Sequence, residues 1–347
     1  MAEPWWTPAR HRDRRAGLLA RNRVKSALRA LFEAEGFVEV EAAALQISPG
    51  NETHLHAFAT NIRSVDGRAV PLYLHTSPEF ALKKLLAAGE RKIFDFARVF
   101  RNREAGPRHA SEFVMLEWYR ADEDYTALMT DCENILCRAA EAAGATTLRH
   151  GERTADPLVA PERLTVAEAF ARHAGIDLLA TLTDDGQPLR EPFAQAATGA
   201  GLRVAGDDSW SDIFSRVMAE WIEPRIGNGR ATLLCDYPLP EAALARPKPG
   251  EPRVAERFEL FACGVELANA FGELRDAAEQ RRRFEADMAE KARLYGESYP
   301  IDDDFLAALA AMPEASGCAL GFDRLVMLLL GAPRIGDVQW TPAPEAP

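Results

Sequence analysis

The clearest pattern of apolar and polar positions along the chain is a pair of alternating segments, at residues 92–101 and 113–119. A polar stretch rich in Arg, Gly and Pro separates them, from Asn102 to Glu112. Alternation with period two predicts β-strands, so we expect two strands joined by a long loop. One face of the second strand would then carry Phe113, Met115, Glu117 and Tyr119. A carboxylate within an aromatic face needs a partner, because burying an unpaired charge is unfavourable.

Apolar residues at helical spacing recur elsewhere in the chain. From Val24 they predict a helix that ends before Gly36, and residues 37–40 are typical of a strand. Mixed strands and helices without strict alternation favour an α+β fold, an antiparallel sheet flanked by helices. Further predicted elements are a helix at 125–143 closed by Gly144, a helix beginning with the capping box Thr165–Glu168, a helix at 210–222, a strand at 231–237, a Pro-rich loop at 238–252, a hairpin at 258–273 around Gly264, and a last helix whose apolar start lies at 325–330.

Composition narrows the class of protein. The chain has 347 residues, 47% of them apolar, and no apolar run approaches the length of a membrane span. The N-terminus has no apolar stretch typical of a secretory signal, and no two of the five cysteines form a C-x-x-C pair. We therefore expect a cytoplasmic protein with reduced thiols and a flexible tail at 341–347.

Charge argues against nucleic acid as the main partner. The net charge is −12, which does not suit a chain that mainly grips phosphate backbones. We interpret the basic residues between Arg10 and Lys25 as a solvated helix face. Neither a Walker-type loop nor a convincing dinucleotide-binding loop is present, so any bound phosphates must be held by arginines. Arg101, at a strand end, and Arg324, in the first turn of a helix, are the candidates.

Several separated motifs resemble the class II aminoacyl-tRNA synthetases. Residues 100–113 resemble motif 2 of that family, residues 321–325 resemble motif 3, and the helix at 17–35 with the strand at 37–41 resembles motif 1. Residues 76–79, 117–119, 257–259 and 266–274 are similar to the lysyl branch. Because motif 1 begins near residue 17, the resemblance implies a single class II synthetase-like catalytic domain over 1–347, and we expect no anticodon-binding domain before it. The chain in this respect resembles the elongation factor P–lysine ligases, which activate (R)-β-lysine and transfer it to a lysine of elongation factor P.

The resemblance implies how ATP and Mg²⁺ would be bound. Arg101 would hold the α-phosphate and the substrate carboxylate, while Phe113 and Arg324 would sandwich the adenine. Glu259 and Glu266 would hold Mg²⁺, an ion that prefers carboxylate and phosphate oxygens. The remaining ATP-binding candidates lie in the motif 2 loop: Glu104, Arg108 and His109.

The resemblance also implies a pocket for a substrate with two ammonium groups. Glu79 would meet the ammonium near the carboxylate, and Asn269 would meet the carboxylate itself. The other substrate-binding candidates are Ser77, Glu117, Tyr119, Phe271, Glu273 and Ala319. Strand alternation leaves Glu266 off the face of Asn269, so we expect a bulge or twist between those two residues.

Ala319 stands where lysyl-tRNA synthetases have Gly. We hypothesise that its methyl group crowds an α-ammonium and leaves room for a β-ammonium. Other departures are Ala43 for the motif 1 proline, Arg103 for the Glu that usually contacts adenine, Ala110 for a common Asn, and Ala270 for a Gly beside the substrate strand. Because of Arg103, we expect the neighbouring Glu104 to contact the adenine edge.

The sequence therefore predicts an ATP-dependent, AMP-forming ligase acting in two steps. The substrate carboxylate attacks the α-phosphorus, and an acceptor lysine then takes the acyl group. We expect ATP and Mg²⁺ as cofactors, elongation factor P and lysine or β-lysine as partners, a homodimer, and neither membrane nor tRNA as partners. Two alternatives stay open: a truncated synthetase that charges RNA, and a catalytically inactive paralogue with a regulatory role.

Overall fold

The computed structural model describes residues 4–104 and 106–344. The chain divides into two compact units, here called the first and second unit. The first comprises Met1–Glu123, Arg275–Ala315 and Ala319–Pro347, and the second comprises Asp124–Leu274 and Ser316–Cys318. The expected flexible tail lies partly outside the described residues, at 345–347. A single catalytic domain over 1–347 stays a prediction.

The α-helices of the described chain alternate irregularly with strands. In chain order they are α1 (Pro8–Ala34), α2 (Glu79–Ala87), α3 (Thr126–Ala143), α4 (Val166–Ala174), α5 (Arg190–Gly199), α6 (Trp210–Val217), α7 (Ala277–Tyr295), α8 (Asp303–Ala311) and α9 (Phe322–Leu330). No helix within 4–104 and 106–344 is both long and apolar enough to span a membrane.

The strands are mostly short. They are β1 (Val38–Glu39), β2 (Leu45–Gln46), β3 (Phe58–Arg63), β4 (Ala69–Leu74), β5 (Lys92–Phe100), β6 (Glu112–Ala121), β7 (Leu148–His150), β8 (Arg153–Asp156), β9 (Glu162–Thr165), β10 (Gly229–Arg230), β11 (Thr232–Pro238), β12 (Pro247–Lys248), β13 (Glu251–Ala262), β14 (Val265–Gly272) and β15 (Ala315–Gly321). Helices and predominantly antiparallel strands in this mixture confirm the α+β class.

In the first unit, β5 and β6 form the predicted pair. They are antiparallel, with Phe100 opposite Glu112 and Ile93 opposite Tyr119, and β1 joins β5 in parallel. β3 and β4 form a second antiparallel pair, whose edge partner is β2. The long loop between β5 and β6 is thereby anchored at both ends, which places its charged side chains at one end of a buried strand pair.

Helix α1 begins earlier than predicted. Its first residue is Pro8, a residue favoured at a helix N-terminus because it has no N–H to satisfy there. One side buries Leu18, Val24 and Leu28 in the core. Arg21 is also buried, so the basic run is not uniformly a solvated face as expected. The reason is an ion pair between Arg21 and Asp323.

The second unit has its own apolar core. The predicted capping box is present, because the Thr165 side chain accepts from the Glu168 amide and the Glu168 carboxylate accepts from the Thr165 amide. Helix α6 is shorter than the predicted helix at 210–222, since Met218–Ile222 forms a π-helical turn instead. Buried members of this core include Val166, Phe170, Phe193, Trp210, Ile213, Phe214, Val217 and Phe261.

Strands β13 and β14 form the predicted hairpin, with an irregularity where it was expected. Leu260 pairs with Ala268 but Phe261 pairs with Glu266, so Leu267 is an extra residue in β14. This bulge between Glu266 and Asn269 confirms the prediction. The region 238–252 is not wholly a loop, because β12 pairs with the lengthened start of β13. Pro247 fits there since β12 is a short edge strand.

Candidate active site

Arg101 lies at the first residue after β5 and contacts the start of the returning strand. Its guanidinium carbon is 5.4 Å from the centre of the Phe113 ring, and Nε donates to the Thr76 carbonyl at 3.3 Å. Its backbone N–H donates to Ser111 at 3.0 Å and closes the loop. A guanidinium held near an aromatic face can serve both phosphate binding and ring stacking. The structure therefore brings together Arg101 and Phe113, as predicted.

Arg324, in the first turn of α9, contacts the same loop although it lies far from it in the sequence. Its Nε donates to the Arg108 carbonyl at 3.4 Å, and Nη2 lies 3.0 Å from His109 Nε2. Glu104 Oε2 lies 3.5 Å from that same nitrogen. The motif 2 candidates thus form one cluster with Arg324. Two arginines that are distant in sequence converge on residues 101–113 within the first unit.

Arg103 points elsewhere. It has a left-handed backbone with φ of 60°, and its guanidinium pairs with Glu297 and lies 5.9 Å from the ring centre of Tyr295. Glu297 also lies 2.9 Å from His56 Nδ1. Arg103 therefore connects the motif 2 loop to the segment after α7 through its ion pair with Glu297. Its side chain is engaged there, and contact between Glu104 and the adenine edge stays a prediction.

A hydrogen-bonded group around Glu117 forms the centre of the expected amino-acid pocket. Ser77 Oγ donates to Glu117 Oε2 at 2.6 Å, and the Tyr119 hydroxyl donates to Oε1 at 2.7 Å. The amide of Glu79 in turn donates to Ser77 Oγ at 3.1 Å. All four residues were predicted, and all four are brought together. The hydroxyl donors are the partners that a carboxylate on this aromatic face needs.

The environment of Glu117 disfavours the negatively charged form of its carboxyl group. Burial, followed by the charge of Glu79, raises the pKa of Glu117 from 4.5 to about 8. The hydrogen bonds from Ser77 and Tyr119 oppose this shift but do not cancel it. An ammonium group entering beside these carboxylates would restore the charged form of Glu117. The pocket is therefore electrostatically suited to a cationic ligand.

Lys83 was not predicted as a site residue. Its side chain is 1% exposed, and Nζ donates to Glu79 Oε1 at 2.5 Å across one turn of α2. The signal was present in the sequence: Lys83 lies four residues after Glu79, among the apolar positions Phe80, Leu82 and Leu86. A lysine on the apolar face of a helix requires a buried partner.

Ala319 lies against a small apolar cluster. It packs on Ala97, Val99 and Met115, as Phe113 also does. Met115 and Glu117 lie on the same face of β6, because strand positions two apart face the same way. The methyl group of Ala319 thus borders the strand face that carries Glu117. Its effect on substrate choice stays a prediction.

In the second unit, Arg257 is the centre of the candidate residues on β13 and β14. Its Nη2 donates to Glu259 at 2.6 Å and its Nε donates to Asn269 at 3.3 Å. The guanidinium carbon is 4.4 Å from the ring centre of Tyr237 and 5.8 Å from that of Phe271. Arg257 and Tyr237 were not predicted as site residues. Arg257 contacts three residues that were predicted: Glu259, Asn269 and Phe271.

Glu259 is an acid whose charge is only partly compensated. Burial raises its pKa to about 7; the Arg257 cation lowers the pKa and the Glu266 carboxylate raises it. No cluster of three or more His, Cys, Asp or Glu side chains in the described chain could by itself hold a metal ion. Two carboxylates that repel each other nevertheless fit Mg²⁺, which usually takes one or two protein carboxylates plus substrate phosphates.

Glu273 is the last of the predicted substrate residues. It is 1% exposed and follows β14, where its backbone forms an antiparallel bridge with Ala245. Buried carboxylates are uncommon and point to a structural or functional role. Its role in substrate binding stays a prediction.

Comparison with known proteins places the chain in a family. The family model of the class II tRNA synthetases (D, K and N) matches residues 4–344. Because the match covers almost the whole chain, the chain belongs to this class of proteins. The family confirms the fold class inferred from motifs 1, 2 and 3.

Curated relatives define a narrower family within that class. The elongation factor P–(R)-beta-lysine ligase of Sodalis glossinidius (strain morsitans) is 39% identical over 325 residues, which is 93% of this chain and 94% of the relative. The ligase of the same name from Erwinia tasmaniensis is also 39% identical, with the same coverage. That of Pectobacterium atrosepticum is 38% identical over 327 residues, 93% of this chain and 94% of its own. The chain belongs to this ligase family.

Proposed function

We propose that this protein is an ATP-dependent ligase that activates (R)-β-lysine and transfers it to a lysine side chain of elongation factor P. The relatives that cover nearly the whole chain carry that name. The structural observation that supports it best is Glu117, a buried carboxylate held by Ser77 and Tyr119 beside Glu79. Such a group suits a substrate with ammonium groups.

In the first step, the substrate carboxylate attacks the α-phosphorus of ATP and pyrophosphate leaves. We assign Arg101 to the α-phosphate and the carboxylate, because a guanidinium can stabilise the charge that develops on both. Arg324 lies against the motif 2 loop through Arg108 and His109, and we assign it to the adenine face and the terminal phosphate. This step depends on how the protein orients the two substrates and on the charges around them, since no protein nucleophile is required.

In the second step, the neutral amine of an acceptor lysine attacks the acyl carbon of the adenylate. The C–N bond forms, the acyl–phosphate bond breaks, AMP leaves and the amine loses a proton. Glu79 and Glu117 are assigned to the substrate ammonium groups throughout. None of the five cysteines is assigned a nucleophilic role; Cys263 and Cys318 are buried in the described structure.

We propose that Glu259 and Glu266 hold Mg²⁺, and that Asn269, Phe271 and Glu273 contribute to substrate binding. A bound Mg²⁺ would supply positive charge beside phosphate oxygens. Arg257 would keep the Glu259 carboxylate in place through its 2.6 Å ion pair. We further propose a homodimer built on α1, as motif 1 implies. Because elongation factor P acts in translation, we place the ligase in the cytoplasm.

Pyrophosphate exchange tests the first step. Purified protein is incubated with ATP, Mg²⁺, labelled pyrophosphate and either α-lysine or (R)-β-lysine. The proposal expects exchange that depends on the amino acid and is greater with (R)-β-lysine. No exchange with either isomer would instead favour an inactive paralogue. In a separate incubation with labelled (R)-β-lysine, label transferred to RNA rather than to protein would favour a truncated synthetase.

A further inference from the structure

Lys83 is a buried cation inside a pocket that must itself bind a cation. Its side chain is 1% exposed, and its ammonium lies 2.5 Å from Glu79 Oε1. Lys83 also acts on Glu117, whose pKa it lowers. A lysine with this exposure loses nearly all contact with water, so its position must be held by the surrounding carboxylates.

The two carboxylates of the pocket have different partners. Glu79 is paired with Lys83 within α2, whereas Glu117 receives hydroxyl hydrogen bonds from Ser77 and Tyr119. Within the described first unit, Glu117 forms no ion pair. The charge of one carboxylate is thus balanced by the protein, and the other has only neutral donors. A ligand ammonium gains more beside Glu117, whose charge Lys83 compensates only in part, than beside Glu79, which already holds an ion pair.

On the basis of the proposed function, we propose that Lys83 is a positioning residue for the amino-acid substrate. It fixes one oxygen of Glu79 and balances that charge, so that Glu79 is held ready for the substrate ammonium near the carboxylate. The positive charge of Lys83 reduces the repulsion between Glu79 and Glu117. Glu117 can therefore bind the second ammonium. Lys83 acts through Glu79.

The test is the Lys83→Met substitution, which keeps an unbranched side chain one atom shorter and removes the charge. In pyrophosphate exchange, we expect the KM for (R)-β-lysine to rise about tenfold, the factor that corresponds to about 1.4 kcal/mol of lost binding. The KM for ATP should change by less than about twofold, because the ATP-binding residues are not involved. A purely structural defect would instead move both constants together.

A matched control is available on the same helix. Lys84 Nζ lies 2.8 Å from both Asp302 and Asp304, and Asp302 caps α8 by accepting from the Phe305 amide. Lys84→Met also removes a lysine and its ion pairs, so it lowers thermal stability. It should leave both KM values within about twofold of those of the unsubstituted protein.

A second pair of variants keeps the test decisive if Lys83→Met folds poorly. Glu79→Gln and the double variant Lys83→Met/Glu79→Gln avoid leaving Glu79 as a buried unpaired carboxylate. If Lys83 acts through Glu79, the double variant should bind (R)-β-lysine within about twofold of Glu79→Gln alone. A further tenfold loss in the double variant would overturn the positioning role.

The outcomes separate this role from the proposed function. If the unsubstituted protein exchanges pyrophosphate and Lys83→Met does so with an unchanged KM for (R)-β-lysine, the role of Lys83 is overturned and the function stands. Equal rises in both KM values also overturn it. If the unsubstituted protein shows no exchange with any diamino acid, the proposed function and the role of Lys83 fall together.

Discussion

Arg21 of α1 and Asp323 at the start of α9 form a buried ion pair, with Nη1 and Oδ1 2.5 Å apart. The Asp323 carboxylate also accepts from the Val114 amide at 3.3 Å and from Gln339 Nε2 at 2.8 Å. Its chain neighbour is Arg324, and the neighbour of Val114 is Phe113. One carboxylate therefore fixes the relative positions of the two residues assigned to adenine, and Arg21 balances its charge.

We expect Arg21→Met to destabilise the protein strongly. Removing one partner of a buried ion pair leaves an uncompensated charge and typically costs about 3–5 kcal/mol. Urea denaturation should show this loss in the free energy of unfolding, together with a higher KM for ATP. The exposed Arg12 on the same helix provides the control, since Arg12→Met should change stability by no more than about 0.5 kcal/mol. A loss below about 1 kcal/mol for Arg21→Met would contradict this account.

Glu117 should make stability decrease as pH rises. Burial and then Glu79 raise its pKa from 4.5 to about 8, so between these values the folded protein holds a proton that the unfolded chain has lost. Unfolding then releases a proton, and the free energy of unfolding falls with rising pH across that range. Chemical denaturation from pH 5 to pH 8 should show a smaller decrease for Glu117→Gln. Identical pH profiles would show that Glu117 titrates normally.

Ala319→Gly should relax the choice of substrate. The methyl group borders the strand face that carries Glu117, through its contacts with the cluster of Ala97, Val99 and Met115. Removing one methyl from a packed pocket shifts preference by about 1–3 kcal/mol. The ratio of kcat/KM for α-lysine to that for (R)-β-lysine should rise at least about tenfold in pyrophosphate exchange. An unchanged ratio would exclude Ala319 as the determinant.

Glu266→Gln should weaken the use of magnesium without weakening amino-acid binding. It removes one of the two carboxylates assigned to the ion and also relieves the repulsion that raises the pKa of Glu259. The Mg²⁺ concentration for half-maximal exchange should rise by about tenfold or more, in line with the loss of a metal ligand. Glu162→Gln, an acid on β9 that pairs with Arg172, provides a control. Equal Mg²⁺ dependence in both variants would rule out Glu266 as a ligand.

Local signals in the sequence predicted much of the fold. Alternation predicted β5 and β6, Gly144 closes α3 in a left-handed conformation, and the Thr165 capping box starts α4. Helix α7 was not predicted, because many of its positions are charged and only a few, such as Phe284 and Met288, are buried apolar residues. Where the apolar period is weak, tertiary packing decides the structure.

The candidate site was predictable as a set of residues but not as a set of contacts. Glu117 was identified as needing a partner, yet the sequence could not show that Ser77, 40 positions away, donates to it. Arg257 lies within the segment 257–259 that resembles the lysyl branch, but its position among Glu259, Asn269 and Phe271 depends on the register of β13 and β14. Contacts between distant segments come from packing, which periodicity does not encode.

Transfer of (R)-β-lysine to elongation factor P is tested most directly by mass spectrometry of the product. Purified elongation factor P is incubated with this protein, ATP, Mg²⁺ and (R)-β-lysine, and Arg101→Ala serves as the inactive control. We predict that one lysine of elongation factor P gains the mass of one lysyl residue, and that the control gains none. An unmodified elongation factor P, under conditions in which pyrophosphate exchange proceeds, would contradict the account.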